Sequence, residues 1–440
     1  MATVVLSAAS PATPALQALA RMLDTDLRAD GEHDITTFDL ASTRLAYCQG
    51  EFDCWVKTPG LCRAHDAEAS IVQAVHDADR LVLLDVVTFG GHSYTLKRAQ
   101  DRLICLISPF FEKRAALTHH EARYERMPSQ YVLGWMPKAD ASTIDTWTAL
   151  ADANALNMLA PRVGAAVVDD ASRDAWPARI RELLVSTAVP GASIHGRPPL
   201  RAAMLDAAAG DPAAAPSPPR TVAVVVGSAK AAGTSVSEAL ARAICARLTA
   251  HGLTAELHVA TEFLRDDRAR ATAQAVAAAD LFLLVSPLYV DAFPALATHA
   301  LEAVAAARAD SAAPARFATL VNCGFPEPEH TRTALSIARH FATAAGYTWA
   351  GGLPLGGGGA INPATPLDAQ HGPAEHVKRA LDLAMPCLAR GESMPAAAIE
   401  AMAASAMPDV AYRIAGDLGW RYRAYKNGLA QADLRARPLG

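Results

Sequence analysis

Residues 221–240 read TVAVVVGSAKAAGTSVSEAL. Val222–Val226 is a short, apolar, β-branched run, the composition of a buried strand. A small polar loop follows, GSAKAAGTS over 227–235, and then Leu240, Ile244, Cys245 and Leu248 recur at helical spacing. Strand, tight loop and helix form the opening of an α/β unit. The N-terminus opens in the same way. Val4–Leu6 leads into SAASPATP at 7–14, followed by Leu16, Leu19, Met22 and Leu23.

A second pair of segments matches as closely. DADRLVLLDVVTFGG (77–91) and AAADLFLLVSPLYVDAFP (277–294) each give a helix end, an acidic residue (Asp79, Asp280), a continuous apolar run and a loop. Unbroken apolar runs between helices predict strands buried on both faces of a parallel sheet. Ser7 and Asp79 are 72 positions apart, and Gly227 and Asp280 are 53 apart. The surplus matches the Cys-bearing segment Cys48–Asp66, which the second half lacks. The chain therefore reads as a duplicated α/β unit with one elaborated loop. A chance pairing of two similar βαβ segments is the alternative.

The stretch Asp206–Arg220, DAAAGDPAAAPSPPR, holds four prolines and little large apolar material, so it is expected to be a linker. The expected organisation is a first domain over 1–205, the linker over 206–220, a second domain over 221–393 and a helical extension over 394–440. Trp420, Tyr422 and Tyr425 near the end of that extension are expected to dock it on a domain or a partner subunit.

Composition narrows the function. The chain of 440 residues is 51% apolar, enough for a large core. Forty basic against 45 acidic residues, with no long basic run, speak against a nucleic-acid binder. No window approaches 18 uninterrupted apolar residues, so no transmembrane helix is expected. The N-terminus has no signal-peptide pattern. Seven dispersed cysteines suit a reducing compartment, and a cytoplasmic protein is the default expectation.

The loop 227–235 is the strongest candidate site. Gly227 and Gly233 permit close backbone approach, and Ser228, Thr234 and Ser235 offer hydroxyls. Lys230 supplies a cation, and the helix beginning near Ser235 turns its free N–H groups to the same spot. A phosphate monoester suits that set. The spacing is neither a Walker loop nor G-x-G-x-x-G, and an ordinary capped βα loop is the plain reading. The matching loop 7–14 has no glycine, and Pro11 and Pro14 remove two donors. Ligands in open α/β sheets sit at the carboxyl ends of strands. This draws in Thr88-Phe89-Gly90-Gly91, Pro287-Leu288-Tyr289 and Asn322-Cys323-Gly324-Phe325-Pro326-Glu327.

These loops carry a resemblance. GSAKAAGTS, SPLYVDAFP and NCGFPEPEHT match the flavodoxin-like NAD(P)H-dependent FMN reductase family in order and place. The first half resembles the flavodoxin-like iron–sulfur flavoproteins and their reductase relatives, through CQGEFDCWVKTPGLCRAHD and VTFGGHSYTLKRAQDRL. Together the resemblances cover most of residues 1–160 and 221–355. They imply two tandem flavodoxin-like, doubly wound α/β domains. They also imply FMN held by Ser228, Lys230, Gly233, Thr234 and Ser235, with the ring against Pro287, Leu288, Tyr289, Asn322, Cys323 and Gly324. Thr88, Phe89, Gly90 and Gly91 form the corresponding ring loop of the first half. NAD(P)H is the implied donor, a quinone, flavin or other small molecule the acceptor, and a homodimer the implied assembly, with pairing of the two halves within one chain as the alternative. The flavin carries the chemistry, so no catalytic side chain is required.

Two departures stand out. Glu51 occupies a position where the iron–sulfur relatives have a cysteine, leaving Cys48, Cys54 and Cys62 as a three-thiolate set at most. No metal is therefore expected, and a structured loop is the plain reading. The glycine-free loop 7–14 implies weak or lost FMN binding in the first half. His119-His120 reads as a solvated pair on a helix, and His92 and His330 flank the ligand loops. Cys323 is a candidate reactive thiol, and Gly356–Gly359 a mobile or specially shaped loop. A non-catalytic electron-transfer or scaffold protein is the competing reading. A hydrolase is disfavoured by the missing nucleophile elbow.

Overall fold

The computed structural model describes the chain except residues 30, 193, 195, 213–216, 312, 406 and 440. It divides into two compact units: Met1–His195 with Arg413–Gly440, and Gly196–Tyr412.

The first unit is built on β1 (Ala2–Ser7), β2 (Asp34–Asp39) and β3 (Arg80–Val86), then the hairpin β4 (Ile107–Arg114) and β5 (Leu117–Ala122), then β6 (Ser129–Met136) and β7 (Val163–Asp169). Its main sheet has the order β2-β1-β3-β6-β7, parallel throughout. Alternate residues serve opposite faces. Val4, Leu6, Leu81 and Leu83 enter one core cluster, and Val5, Val82 and Leu84 the other. Both faces are thus covered by helices, which explains unbroken apolar runs in the central strands. The edge strand β2 is mostly exposed, and its sequence, DITTFD, is correspondingly polar.

The second unit repeats the plan with β8 (Thr221–Val226), β9 (Thr254–Val259), β10 (Leu281–Pro287), β11 (Arg316–Asn322) and β12 (Thr348–Leu355). The order is β9-β8-β10-β11-β12, again all parallel. Counted from the first strand of each sheet, both are 2-1-3-4-5, the flavodoxin-like doubly wound order. The chain is therefore two flavodoxin-like α/β domains in tandem. The winding reverses between the first and third strands of each sheet, and a crevice opens there beyond the carboxyl ends.

The structure differs from the sequence expectations at three places. Asp206–Ala208, read as linker, form the last turn of the helix Arg197–Ala208, whose Pro198 and Pro199 sit in its first turn, where missing N–H groups cost nothing. Asp211 N–H donates to Trp349 O (2.8 Å), so the next residues run along β12, while 213–216 of the expected linker lie outside the described residues. The boundary between units accordingly falls before Arg197. His119 and His120 lie on β5, not on a helix. Their opposite faces are those of a strand: His119 Nδ1 pairs with Asn157 Oδ1 at 2.6 Å, and the His120 ring sits 4.5 Å from Trp55. Finally, the expected extension 394–440 is shared. Its helix Ala396–Met402 belongs to the second unit, and Arg413–Gly440 to the first. There Trp420 stacks edge-on against Phe52 and Trp55, both at 5.2 Å, whereas Tyr422 and Tyr425 remain exposed.

Candidate functional site

In the second unit the loop 227–235 leaves β8 and enters the helix Val236–Ala250. Gly227 continues the sheet, its N–H donating to Val285 O at 2.9 Å. A Cβ there would lie 2.6 Å from Ser286 Oγ and 2.9 Å from Ala297 Cβ, so only glycine lets these elements close up. Gly233 serves differently. Its φ is +75°, and a Cβ would meet nothing within 4 Å, so the left-handed turn faces open space. Ser228 Oγ accepts the Lys230 N–H (3.3 Å), Thr234 Oγ1 donates to Ala231 O (2.7 Å), and Ser235 caps the helix by accepting Glu238 N–H.

Glu238 is the residue the sequence reading missed. Its Oε2 accepts the Gly233 N–H at 2.7 Å, and its Oε1 binds Arg242 Nη2 at 2.7 Å. Burial raises the carboxyl's proton affinity, but the Gly233 N–H and Arg242 outweigh it and hold the carboxyl below its ordinary range. The signal was present: Ser235-Val-Ser-Glu238 is the capping-box pattern.

The next two loops join the first at Asn322. Leu288 N–H donates to Asn322 O (3.0 Å), and Ser237 Oγ donates to Asn322 Oδ1 (2.7 Å). Pro287, Leu288 and Tyr289 are half-buried and present apolar surface beyond β10. Tyr289 and Ala292 exchange backbone hydrogen bonds of 2.9 and 3.2 Å around Val290 (φ +48°) and Asp291 (φ +57°). Two successive non-glycine residues in the left-handed region store strain, which persists only where surroundings enforce it. Here Thr333 Oγ1 donates to Asp291 O, and His330 Nδ1 lies 3.7 Å from Asp291 Oδ1. Cys323 is buried, and desolvation pushes its thiol far up, with Asp291, Glu327 and Glu329 adding to the effect. It is therefore not the reactive thiol considered from the sequence. Gly324 is exposed and has open space around its Cβ position. The glycine run after β12 is shaped rather than loose: Gly357 N–H donates to Phe325 O (2.6 Å) and Gly358 N–H to Cys323 O (2.8 Å). Loops after β8, β10, β11 and β12 thus meet at one end of the sheet.

No family model matches the chain, and no curated protein matches it. Among solved structures it is similar to an NAD(P)H:quinone oxidoreductase from Methanothermobacter marburgensis, at 18% identity over 31% of this chain and 85% of that one (TM-score 0.23). It is similar to the azoreductase AzrA at 16% identity, over 29% and 83% of the two chains (TM-score 0.22). An oxidoreductase from Corynebacterium diphtheriae matches at 17% identity, over 32% and 81% (TM-score 0.23). The fold assignment rests on the strand order, not on these likenesses.

The first unit repeats the loop geometry with different chemistry. Ala8 N–H donates to Leu84 O (2.9 Å), as Gly227 does to Val285. Thr88 and Gly91 exchange two 2.8 Å hydrogen bonds around Phe89 (φ +53°) and Gly90 (φ +78°), the counterpart of the Tyr289–Ala292 turn. The loop 7–14 ties its amides internally, as the loop 227–235 does through Ser228 Oγ and Ala231 O. Ala9 N–H goes to Ser7 Oγ, Ser10 N–H to Thr13 Oγ1, and Thr13 N–H to Ser10 O. Where the second unit has Ser286, the first has the fully buried Asp85, which accepts the Ser93 N–H and Oγ–H and faces His92 Nδ1 at 3.4 Å.

Among the described residues, no three His, Cys, Asp or Glu side chains are arranged to hold a metal ion. No helix among them is long and apolar enough to cross a membrane.

Proposed function

We propose that the second unit binds FMN and that the protein is an NAD(P)H oxidoreductase delivering electrons to a quinone, a flavin or another small acceptor. The observation that carries this reading is the open left-handed turn at Gly233, in a loop that leads to a helix N-terminus and carries Ser228, Lys230, Thr234 and Ser235. That donor set fits a phosphate monoester, because hydroxyls and a helix N-terminus both favour an anion. The flavin, when bound, supplies hydride transfer from nicotinamide and onward reduction of the acceptor. The protein's part is to hold and orient. Ser228, Lys230, Thr234 and Ser235 hold the phosphate, and Gly233 admits it. Pro287, Leu288 and Tyr289 offer the apolar wall, with Asn322, Cys323 and Gly324 on the other side. The strained Tyr289–Ala292 turn keeps that wall in place.

In this reading the two units descend from one duplicated domain, and the first has lost its flavin. Its loop 7–14, which has no glycine and in which Pro11 and Pro14 lack N–H donors, supports that loss. Two copies of the chain pair, as the family resemblance implies, and the dispersed cysteines suit a cytoplasmic protein. The oxidoreductase names of the similar structures agree with this reading. A non-catalytic scaffold is the competing reading, and the same first-unit features favour it. The test is NAD(P)H consumption by the FMN-supplemented protein with a soluble quinone. Consumption above the free-flavin rate supports the proposal, and none supports the scaffold.

A further inference from the structure

From Arg413 onward the helix Asp409–Lys426 belongs to the first unit. One face of it is docked there. Ala424 is buried, and Trp420 meets Phe52 and Trp55. A Cβ at Gly416 would lie 2.5 Å from the Phe111 ring, so the helix sits close on the β4–β5 hairpin. The opposite face is apolar and exposed. Ile414 is 58% exposed, Leu418 62%, Tyr422 61% and Tyr425 76%. Their spacing puts all four on one stripe of the helix. Ala415 and Gly419, also exposed, lie along one side of it, and a Cβ at Gly419 would meet nothing within 4 Å. Single exposed apolar residues are ordinary, but a continuous stripe marks a contact surface.

The charges beside the stripe say what covers it. Asp417 and Arg421, one turn apart and half-buried, flank it on the other side. Arg421 is steadied by Gln431 Oε1 at 2.5 Å and by the Phe110 ring, 5.4 Å from its guanidinium. Two copies of this helix could meet face to face in two directions. In a parallel pair the Asp417–Arg421 edge would meet the opposite edge, bringing Arg421 toward the exposed Lys426. In an antiparallel pair that edge meets itself in reverse. Asp417 of each copy then lies across from Arg421 of the other, Ile414 across from Tyr425, and Leu418 across from Tyr422. The face is complementary to itself in charge and in shape, which is the requirement of a two-fold interface.

We propose that the Ile414–Leu418–Tyr422–Tyr425 face binds the same face of a second copy of the chain, with the two helices antiparallel. This rests on the pairing of two copies in the reading above and gives it residues. Trp420 docks the helix on its own unit, and the two tyrosines beside it serve the second copy. Each Asp417–Arg421 contact selects the antiparallel direction, and the apolar stripe supplies most of the affinity.

The test is size exclusion with light scattering on the full chain, with bound FMN counted in the same fractions. The wild type should show twice the mass of one chain. Leu418→Glu, at an exposed position, should leave the thermal melt unchanged and weaken pairing at least about tenfold. Asp417→Arg should weaken it as well, and Asp417→Arg combined with Arg421→Asp should restore it. A paired wild type with an equally paired L418E overturns this face alone and leaves the pairing standing. A wild type of single mass overturns both, and one of single mass that floats with phosphatidylserine vesicles gives the face to a lipid surface instead. Failure of the double exchange to restore pairing overturns the antiparallel arrangement. The FMN count judges the flavin reading separately, since its failure leaves these masses as they are.

Discussion

Glu238 Oε2 accepts the main-chain N–H of Gly233 at 2.7 Å, so a carboxylate already holds one amide of the loop proposed to bind phosphate. Arg242 neutralises much of its charge, with Nη2 at 2.7 Å. What remains opposes a phosphate dianion. Glu238→Gln keeps the hydrogen bond and removes the charge. It should tighten FMN binding about fivefold, from roughly 1 kcal/mol of relieved repulsion. A fluorescence titration of wild type and variant checks this, and weaker binding by the variant contradicts it.

Gly227 and Gly233 should respond differently to alanine. At Gly233 the added Cβ meets open space, so the cost is the left-handed backbone alone, about 1 kcal/mol. Gly233→Ala combined with Thr234→Ala should therefore leave a folded protein that no longer takes up FMN. At Gly227 the Cβ runs into Ser286 and Ala297, and overpacking there should cost about 2 kcal/mol. Paired thermal melts and flavin counts separate the two. Unchanged flavin in the G233A/T234A protein contradicts the site.

Val290 is a β-branched residue at φ +48°. Val290→Gly should stabilise the protein by about 1 kcal/mol, or a rise of roughly 2–4 °C in Tm for a unit of this size. The same change should weaken flavin binding, because the apolar wall loses its fixed turn. A lower Tm would show that Val290 packing outweighs the strain.

Asp280 accepts the N–H groups of Arg220 and Thr221 at 2.8 and 2.9 Å, just as Asp79 accepts that of Ala2 at 3.0 Å. Burial raises the Asp280 carboxyl, but the Thr221 and Arg220 amides outweigh it, so the folded-state value lies below the ordinary one. Its stabilisation is therefore complete above the unfolded-state value near pH 4 and is lost as pH falls through the lower folded value. Asp280→Asn should cost about 1 kcal/mol at pH 7, after allowance for solvent screening, and little at pH 2. Urea melts at the two pH values check the sign.

Cys323 should resist alkylation in the native protein at pH 8, because desolvation keeps it a thiol. Cys245, pushed up to about 11 by burial, should be slow as well. Rapid native labelling of Cys323 by iodoacetamide contradicts the burial argument.

Much of this was legible in the sequence. Val4–Leu6, Val222–Val226 and the runs after Asp79 and Asp280 are strands because two-sided burial leaves an unbroken apolar record. The loops carrying Ser228, Tyr289 and Asn322 follow those strands and so fall at one end of the sheet. Other features are tertiary and left weaker marks. The β4–β5 hairpin turns at Ala115 and Ala116, both at positive φ, without the Asn or Gly that usually signals such a turn. The helix Arg197–Ala208 runs into a stretch whose prolines looked like linker throughout. Asp85 binds the N–H and hydroxyl of Ser93, eight positions on, a tie that only the fold of the loop after β3 reveals.

The central claim is that the second unit alone carries flavin. The most direct measurement is the visible spectrum of the protein saturated with FMN and desalted, with acid-released flavin counted per chain. The account predicts flavin bands and about one FMN per chain. Two per chain would contradict the loss assigned to the first unit, and a colourless protein would contradict the flavin reading itself.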